Sequence, residues 1–152
     1  MILQSLEELE QELRKGVFRT TYLILGPEQY QCRQAVTLLK GSVLEPEMLA
    51  FDYSEFVGGE TPVDEIIEAV NTFPMASKRR IVLVTEVERL EDSEHEPLLE
   101  TIDGISRRSI LILVAEDMDR RKKFYKVLRE KICVVEFPLL KGPALRFNGK
   151  RK

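Results

Sequence analysis

The sequence predicts an α/β fold of three layers, with a five-stranded parallel sheet held between helices. Three observations carry that reading. Several short β-prone runs are apolar throughout rather than alternating, as strands buried on both faces must be. Helical stretches separate them in a regular strand-then-helix order, which implies right-handed crossovers and parallel pairing. The 152 residues suffice for one compact domain with a sizeable core.

The elements follow in order. Ser5-Leu6-Glu7-Glu8 reads as a capping box, after which Leu6, Leu9 and Leu13 share one helix face and Gly16 offers a left-handed stop. Thr20 to Leu25 is the first strand, and Gly26-Pro27 breaks it before a helix from Glu28 to Lys40. Leu49 to Tyr53 reads as the second strand, followed by a loop with Gly58-Gly59. Thr61 is then expected to cap a helix with Pro62 in its first position. The apolar stripe of that helix is Val63, Ile66, Ile67, Val70 and Phe73. Arg80 to Val84 is the third strand, Ser93 to Ile102 a helix, and Ser109 to Val114 the fourth strand. Asp119 is expected to cap a strongly basic helix reaching Glu130, and Ile132 to Phe137 closes the sheet. Residues 1–140 are expected to form one domain, with 141–152 a tail or the start of a second.

Composition narrows the function. Hydrophobic residues make up 43% and charged residues 32%, an ordinary globular balance, and the net charge is −3. The whole molecule is therefore no magnet for nucleic acid, and any basic surface must be local. The apolar runs are too short to span a bilayer, and the acidic, heptad-like start is not the pattern of a signal peptide. The two cysteines, Cys32 and Cys133, lie far apart and read as buried thiols in a reducing cytoplasm. The lone histidine, His95, sits in an acidic stretch and reads as a surface residue. No metal or other cofactor is expected.

In open parallel sheets ligands bind beyond the carboxyl ends of the strands, so the turns after Leu25, Tyr53, Val84, Val114 and Phe137 are the places to inspect. The first has the layout of a phosphate loop, G-x-x-x-x-G-K-[ST], whose glycines let backbone amides wrap phosphates. Gly26 is in place. However, Gln31 stands at the second glycine, Cys32 at the lysine and Arg33 at the hydroxyl that would hold magnesium, and Glu28 adds a negative charge. The third strand ends in Thr85-Glu86, where phosphate-loop ATPases carry a magnesium-supporting aspartate and a water-polarising glutamate; only Glu86 remains. Both defects indicate a scaffold of the phosphate-loop (AAA+-like) type with a degenerate nucleotide site.

At this point the residues resemble a family. Tyr22-Leu23-Ile24-Leu25-Gly26-Pro27-Glu28 resembles the opening of bacterial DNA polymerase III delta subunits, the N-terminal domain of a clamp-loader component. Thr72-Phe73-Pro74-Met75-Ala76-Ser77-Lys78-Arg79-Arg80, running into an apolar strand, looks like that family's second signature. Ala76 stands where many relatives carry a bulkier residue. Asp119-Arg120-Arg121-Lys122-Lys123-Phe124-Tyr125-Lys126-Val127-Leu128 is similar to the third. The blocks keep the family's order over about residues 20 to 140.

The resemblance implies a non-catalytic part of the DNA polymerase III holoenzyme, itself a DNA-directed DNA polymerase. Such a subunit binds the ring-shaped beta sliding clamp and favours its opened interface for loading onto DNA during replication. Sister loader subunits, gamma/tau and delta prime, are implied partners, and DNA is met indirectly through the loader. A binder opens a ring only by as much as it prefers the open state. The implied clamp contact is an apolar plug at Phe73, Pro74 and Met75. Family members run to roughly twice this length, so a truncated form or partial gene is expected here.

Two readings stay open at the plug. Phe73 continues the helix stripe and so reads equally as core, whereas Pro74 ends helical geometry and turns Met75 outward. A methionine at an exposed turn suits a partner's pocket. The cations Arg120, Arg121, Lys122 and Lys123 form either a solvated face or a contact to DNA phosphate or a neighbouring subunit. Two rival classes share the fold: an active phosphate-loop ATPase or other nucleotide-binding domain, and a receiver-like signalling domain with Asp52 as its acceptor.

Overall fold

The computed structural model describes residues 1–138. The sheet has six parallel strands rather than five, in the order β1-β6-β2-β5-β4-β3. The additional strand is β1 (Ile2–Leu3), which pairs with β6 (Cys133–Glu136) through Ile2 opposite Val134 and Leu3 opposite Val135. Two residues are too few to show a period in the sequence. Their pairing covers the β6 edge, which would otherwise present unpaired backbone groups.

The four remaining strands are β2 (Thr21–Leu25), β3 (Tyr53–Val57), β4 (Arg80–Thr85) and β5 (Ser109–Ala115). Strands β2, β4 and β5 are buried almost end to end, and their side chains part by the period of two. Tyr22, Ile24, Ile81, Leu83, Ile110 and Ile112 face α1 (Leu6–Arg14) and α2 (Gln29–Val43). Leu23, Leu25, Val82, Val84, Leu111 and Leu113 face α4 (Val63–Val70), α5 (Asp92–Asp103) and α6 (Lys123–Lys131), numbered after the short α3 described below.

The second expected strand is displaced. Leu49–Asp52 is a helical turn, α3, entered through a 3-10 turn at Pro46–Met48, and the strand is Tyr53–Val57. Proline at the first position of the 3-10 turn starts helical geometry there. The true strand lies at the sheet edge and is only half-buried, so it lacks the continuous apolar run that betrays its neighbours. Asp52 therefore precedes this strand, and it is fully buried.

Helix ends follow the expected chemistry with two corrections, at Thr61 and Asp119. In α1 the Ser5 hydroxyl accepts the Glu8 N–H at 3.1 Å, and Gly16 at φ +78° stops the helix. Thr61 is not the cap of α4. That helix begins at Val63, whose N–H donates to the Glu94 carboxylate of α5 at 3.1 Å. Glu94 also accepts the Glu91 N–H at 3.0 Å, so one side chain ties the starts of two helices. Asp119 does not cap α6: it accepts the Arg121 N–H in a turn of its own, and the helix begins at Lys123. His95 is not a surface residue. Its side chain is 16% exposed and its ring stacks on Phe124 with centroids 4.0 Å apart, wedged between α5 and α6. Among the described residues no helix is long and apolar enough to cross a membrane. The expected domain boundary at 140 and the tail beyond it, 141–152, lie outside the described residues.

Candidate docking turn and degenerate nucleotide site

The open question at Phe73 is answered by the end of α4. The helix stops at Val70, and Phe73 and Met75 project from the turn that follows, 65% and 77% exposed. Their exposure is not looseness of the backbone. The buried Asp52 carboxylate accepts the N–H groups of Met75, Ala76 and Ser77 at 2.5, 2.9 and 2.6 Å. Successive N–H groups converging on one anion form a nest. Burial alone would raise the Asp52 pKa, but the hydrogen bonds from Met75, Ala76 and Ser77 together outweigh it and hold the carboxyl below its ordinary value.

A buried arginine braces the same turn from below. Arg80 Nε donates to the Ala69 carbonyl at 2.9 Å, and its other nitrogens reach the Phe51 carbonyl and the Ser54 hydroxyl. The Ser109 hydroxyl donates to the Val70 carbonyl at 2.7 Å. The last carbonyls of α4, which a helix leaves unpaired, are thus satisfied from β4 and β5. The Arg108 guanidinium lies 5.5 Å from the centroid of the Phe73 ring, within cation–π range. The arrangement presents two large apolar side chains on a fixed backbone.

At the opposite, carboxyl end of the sheet, Gly26, Cys32, Arg33, Thr85 and Glu86 line one open cleft of about 620 Å³; Gln31 does not. The loop between β2 and α2 is only Gly26-Pro27-Glu28, because the helix already begins at Gln29. The position of the second phosphate-loop glycine, Gln31, therefore lies inside the first helical turn, and the backbone has no length left to wrap a phosphate. Cys32, at the lysine position, is buried with its thiol on the Gly26 carbonyl at 3.7 Å, and burial pushes that thiol up to about 11. The Thr85 hydroxyl donates to the Phe56 carbonyl, and Glu86, in left-handed backbone at φ 54°, pairs with Arg89 at 3.3 Å. Glu55, Glu86, Glu88 and Glu116 share the cleft with Arg33, Lys40 and Arg89, so its lining has no positive excess to draw a polyphosphate. Millimolar Mg-ATP is accordingly expected to leave the melting temperature unchanged. A ligand-dependent rise would show that the cleft holds nucleotide after all.

The expected basic helix carries less free charge than its sequence suggests. Arg120 pairs with Glu136 and also donates to the Tyr125 hydroxyl; Arg121 pairs with Asp119, Lys122 with Asp92 at 2.7 Å, and Lys123 with Glu96 at 3.5 Å. Each of these four cations has a carboxylate beside it, whereas Lys126 and Arg129 farther along the helix make no ion pair among the described residues.

The family described as DNA polymerase III, delta subunit matches residues 22–138. This chain belongs to that family. It is 30% identical over 134 residues to the DNA polymerase III subunit delta of Bacillus subtilis strain 168, covering 82% of this chain and 39% of that relative. A solved Bacillus subtilis DNA clamp loader delta protein superposes with a TM-score of 0.80 at 26% identity, over 89% of this chain and 43% of that one. A Thermotoga maritima protein related to the DNA polymerase III gamma subunit has the same fold, with a TM-score of 0.65 at 18% identity, over 98% of this chain and 50% of its own. This delta-family chain thus spans less than half the length of its Bacillus relatives.

Within this delta-family chain, sequence reasoning found the exposed turn and the damaged phosphate loop but missed the residues that hold the turn in shape. In the sequence, Asp52 and Arg80 fall within runs that read as strands. A carboxylate inside the apolar stretch Leu49 to Tyr53 was the available signal, since a buried acid needs donors to satisfy it.

Proposed function

We propose that this chain is the clamp-binding domain of a clamp-loader delta subunit, non-catalytic in itself and cytoplasmic. Phe73 and Met75, set by Pro74, enter an apolar pocket on the beta sliding clamp. Because that contact is worth more when the ring interface is open, binding favours opening for loading onto DNA. Residues 1–140 form the clamp-binding unit, ATP chemistry belongs to sister subunits of the loader, and gamma/tau and delta prime are the loader partners of the full-length protein. The observation that carries the proposal is the pair of large apolar side chains held out on a turn anchored by Asp52. The receiver-like reading is disfavoured because both Asp52 oxygens are buried and already accept N–H groups.

Calorimetry against the cognate clamp tests it. Phe73→Ala and Met75→Ala are each expected to cost about 2 kcal/mol of binding, the range of interface anchor residues. Both side chains are largely exposed, so the fold is expected to survive, with circular dichroism unchanged. A folded parent that does not bind, or a double variant that binds like the parent, would reject the docking turn.

A further inference from the structure

The ion pairs divide the cations of this protein into two groups. Along the segment from Arg120 to Lys123 every cation has a carboxylate partner. Lys78, Arg79, Arg107 and Arg108 have none among the described residues. No other segment described carries two adjacent unpaired cations. These two dipeptides are distant in sequence, but each leads directly into a strand, and the strands are neighbours. Arg80 of β4 stands opposite Ser109 of β5, and the Arg80 N–H donates to the Arg108 carbonyl at 2.7 Å. All four cations therefore gather at the amino end of the sheet, on the rim that also carries the turn of Phe73 and Met75.

Two of them are held without being neutralised. The Arg108 guanidinium stacks over Phe73, and the Arg79 guanidinium lies 4.9 Å from the centroid of the Phe18 ring. An aromatic face positions a cation and leaves its charge available to a partner. Two carboxylates at this end are already engaged: Asp52 takes three N–H groups, and Asp103 pairs with Lys131 at 2.6 Å. Glu130, which lines the same hollow as Arg107, and Glu68 in the last turn of α4 make no ion pair among the described residues. A chain of net charge −3 thus keeps four cations outside any ion pair beside its exposed apolar turn.

We infer that Lys78, Arg79, Arg107 and Arg108 form a basic collar around the docking turn, and that the collar meets a protein surface whose apolar pocket is rimmed by carboxylates. The inference rests on the reading of Phe73 and Met75 as the docking turn. Duplex DNA is the poorer occupant, because a phosphate backbone gives no counterpart to two exposed apolar side chains at the centre of the patch. Charges on the rim of an interface act mainly on the encounter. They raise the association rate at low salt and fade as ions screen them, whereas anchor side chains act on dissociation. The collar therefore supplies steering and orientation, and the turn supplies lifetime.

The test is a kinetic measurement of this chain with the cognate clamp across a range of salt concentrations. The variant is Lys78→Glu with Arg107→Glu, two exposed side chains that brace nothing in the fold. At low salt the association rate is expected to fall about tenfold or more, with dissociation changed by less than about threefold and the difference shrinking at high salt. Met75→Ala is expected to do the reverse. Parent-like association and salt dependence in the charge variant, while Met75→Ala still weakens binding, would overturn the collar and leave the docking turn standing. A charge variant that loses affinity for a short DNA duplex but associates normally with the clamp would also overturn it. No clamp binding by the folded parent would overturn both.

Discussion

Asp52→Asn is expected to lower stability by about 2–3 kcal/mol and to weaken clamp binding, although residue 52 is buried and reaches no partner. Its two oxygens accept three backbone N–H groups of the docking turn. An amide of the same shape keeps one acceptor and turns an NH2 group toward donors. At least one buried N–H then loses its partner, at about 1–3 kcal/mol, and the remaining bonds lose the strength that a full charge lends them. With the nest broken, the backbone from Met75 to Ser77 samples other shapes, and the clamp must select the right one, which lowers apparent affinity. Urea unfolding measures the first effect. Calorimetry measures the second, at a temperature where the variant is fully folded, so that a loss of affinity reports the turn rather than the fold.

The same residue gives the parent a pH signature. Its carboxyl is held below its ordinary value in the fold. The stabilisation is therefore complete above that ordinary value, about pH 4, and is lost as pH falls through the lower folded-state pKa. The stability gap between parent and Asp52→Asn should close in that acid range. A gap that persists unchanged in acid would show that the carboxylate charge is not what holds the turn, and unchanged affinity in the folded variant would detach Asp52 from binding.

The parts that were legible in the sequence and the parts that were not differ in how far apart their causes lie. Strands β2, β4 and β5 could be read because burial on both faces leaves its mark on consecutive residues. Strand β3 was misplaced by a few residues because an edge strand half-exposed to solvent carries no such mark, and β1 is two residues long. The outward turn could be read from Pro74, a local signal. Its support could not, since Asp52 and Arg80 act on groups brought near them only by the folded sheet. Charge shows the contrast most clearly. The run at Arg120 to Lys123 is conspicuous in sequence, yet folding sets Asp92, Glu96 and Glu136 beside it. Lys78-Arg79, part of the second signature, and Arg107-Arg108 lie far apart in sequence and become one patch only when β4 pairs with β5.

Gly26→Ala is expected to cost about 3 kcal/mol or more, enough to unfold a marginal domain. Gly26 has φ +143°, a conformation that side chains rarely adopt, and a Cβ there would stand 2.1 Å from the Phe137 carbonyl oxygen. That oxygen belongs to backbone held in place, since the Phe137 N–H donates to the Leu25 carbonyl at 2.8 Å. The neighbouring chain cannot withdraw without breaking the pairing of β2 with β6. Equilibrium unfolding in urea measures the cost, with Arg33→Ala, an exposed change in the same loop-helix unit, expected to stay within about 0.5 kcal/mol of the parent. Parent-like stability in Gly26→Ala would mean that β6 does not close against this loop. A large loss would account for the one phosphate-loop residue that this chain retains: the glycine is needed where the end of β6 crosses the loop, whether or not a phosphate is ever bound.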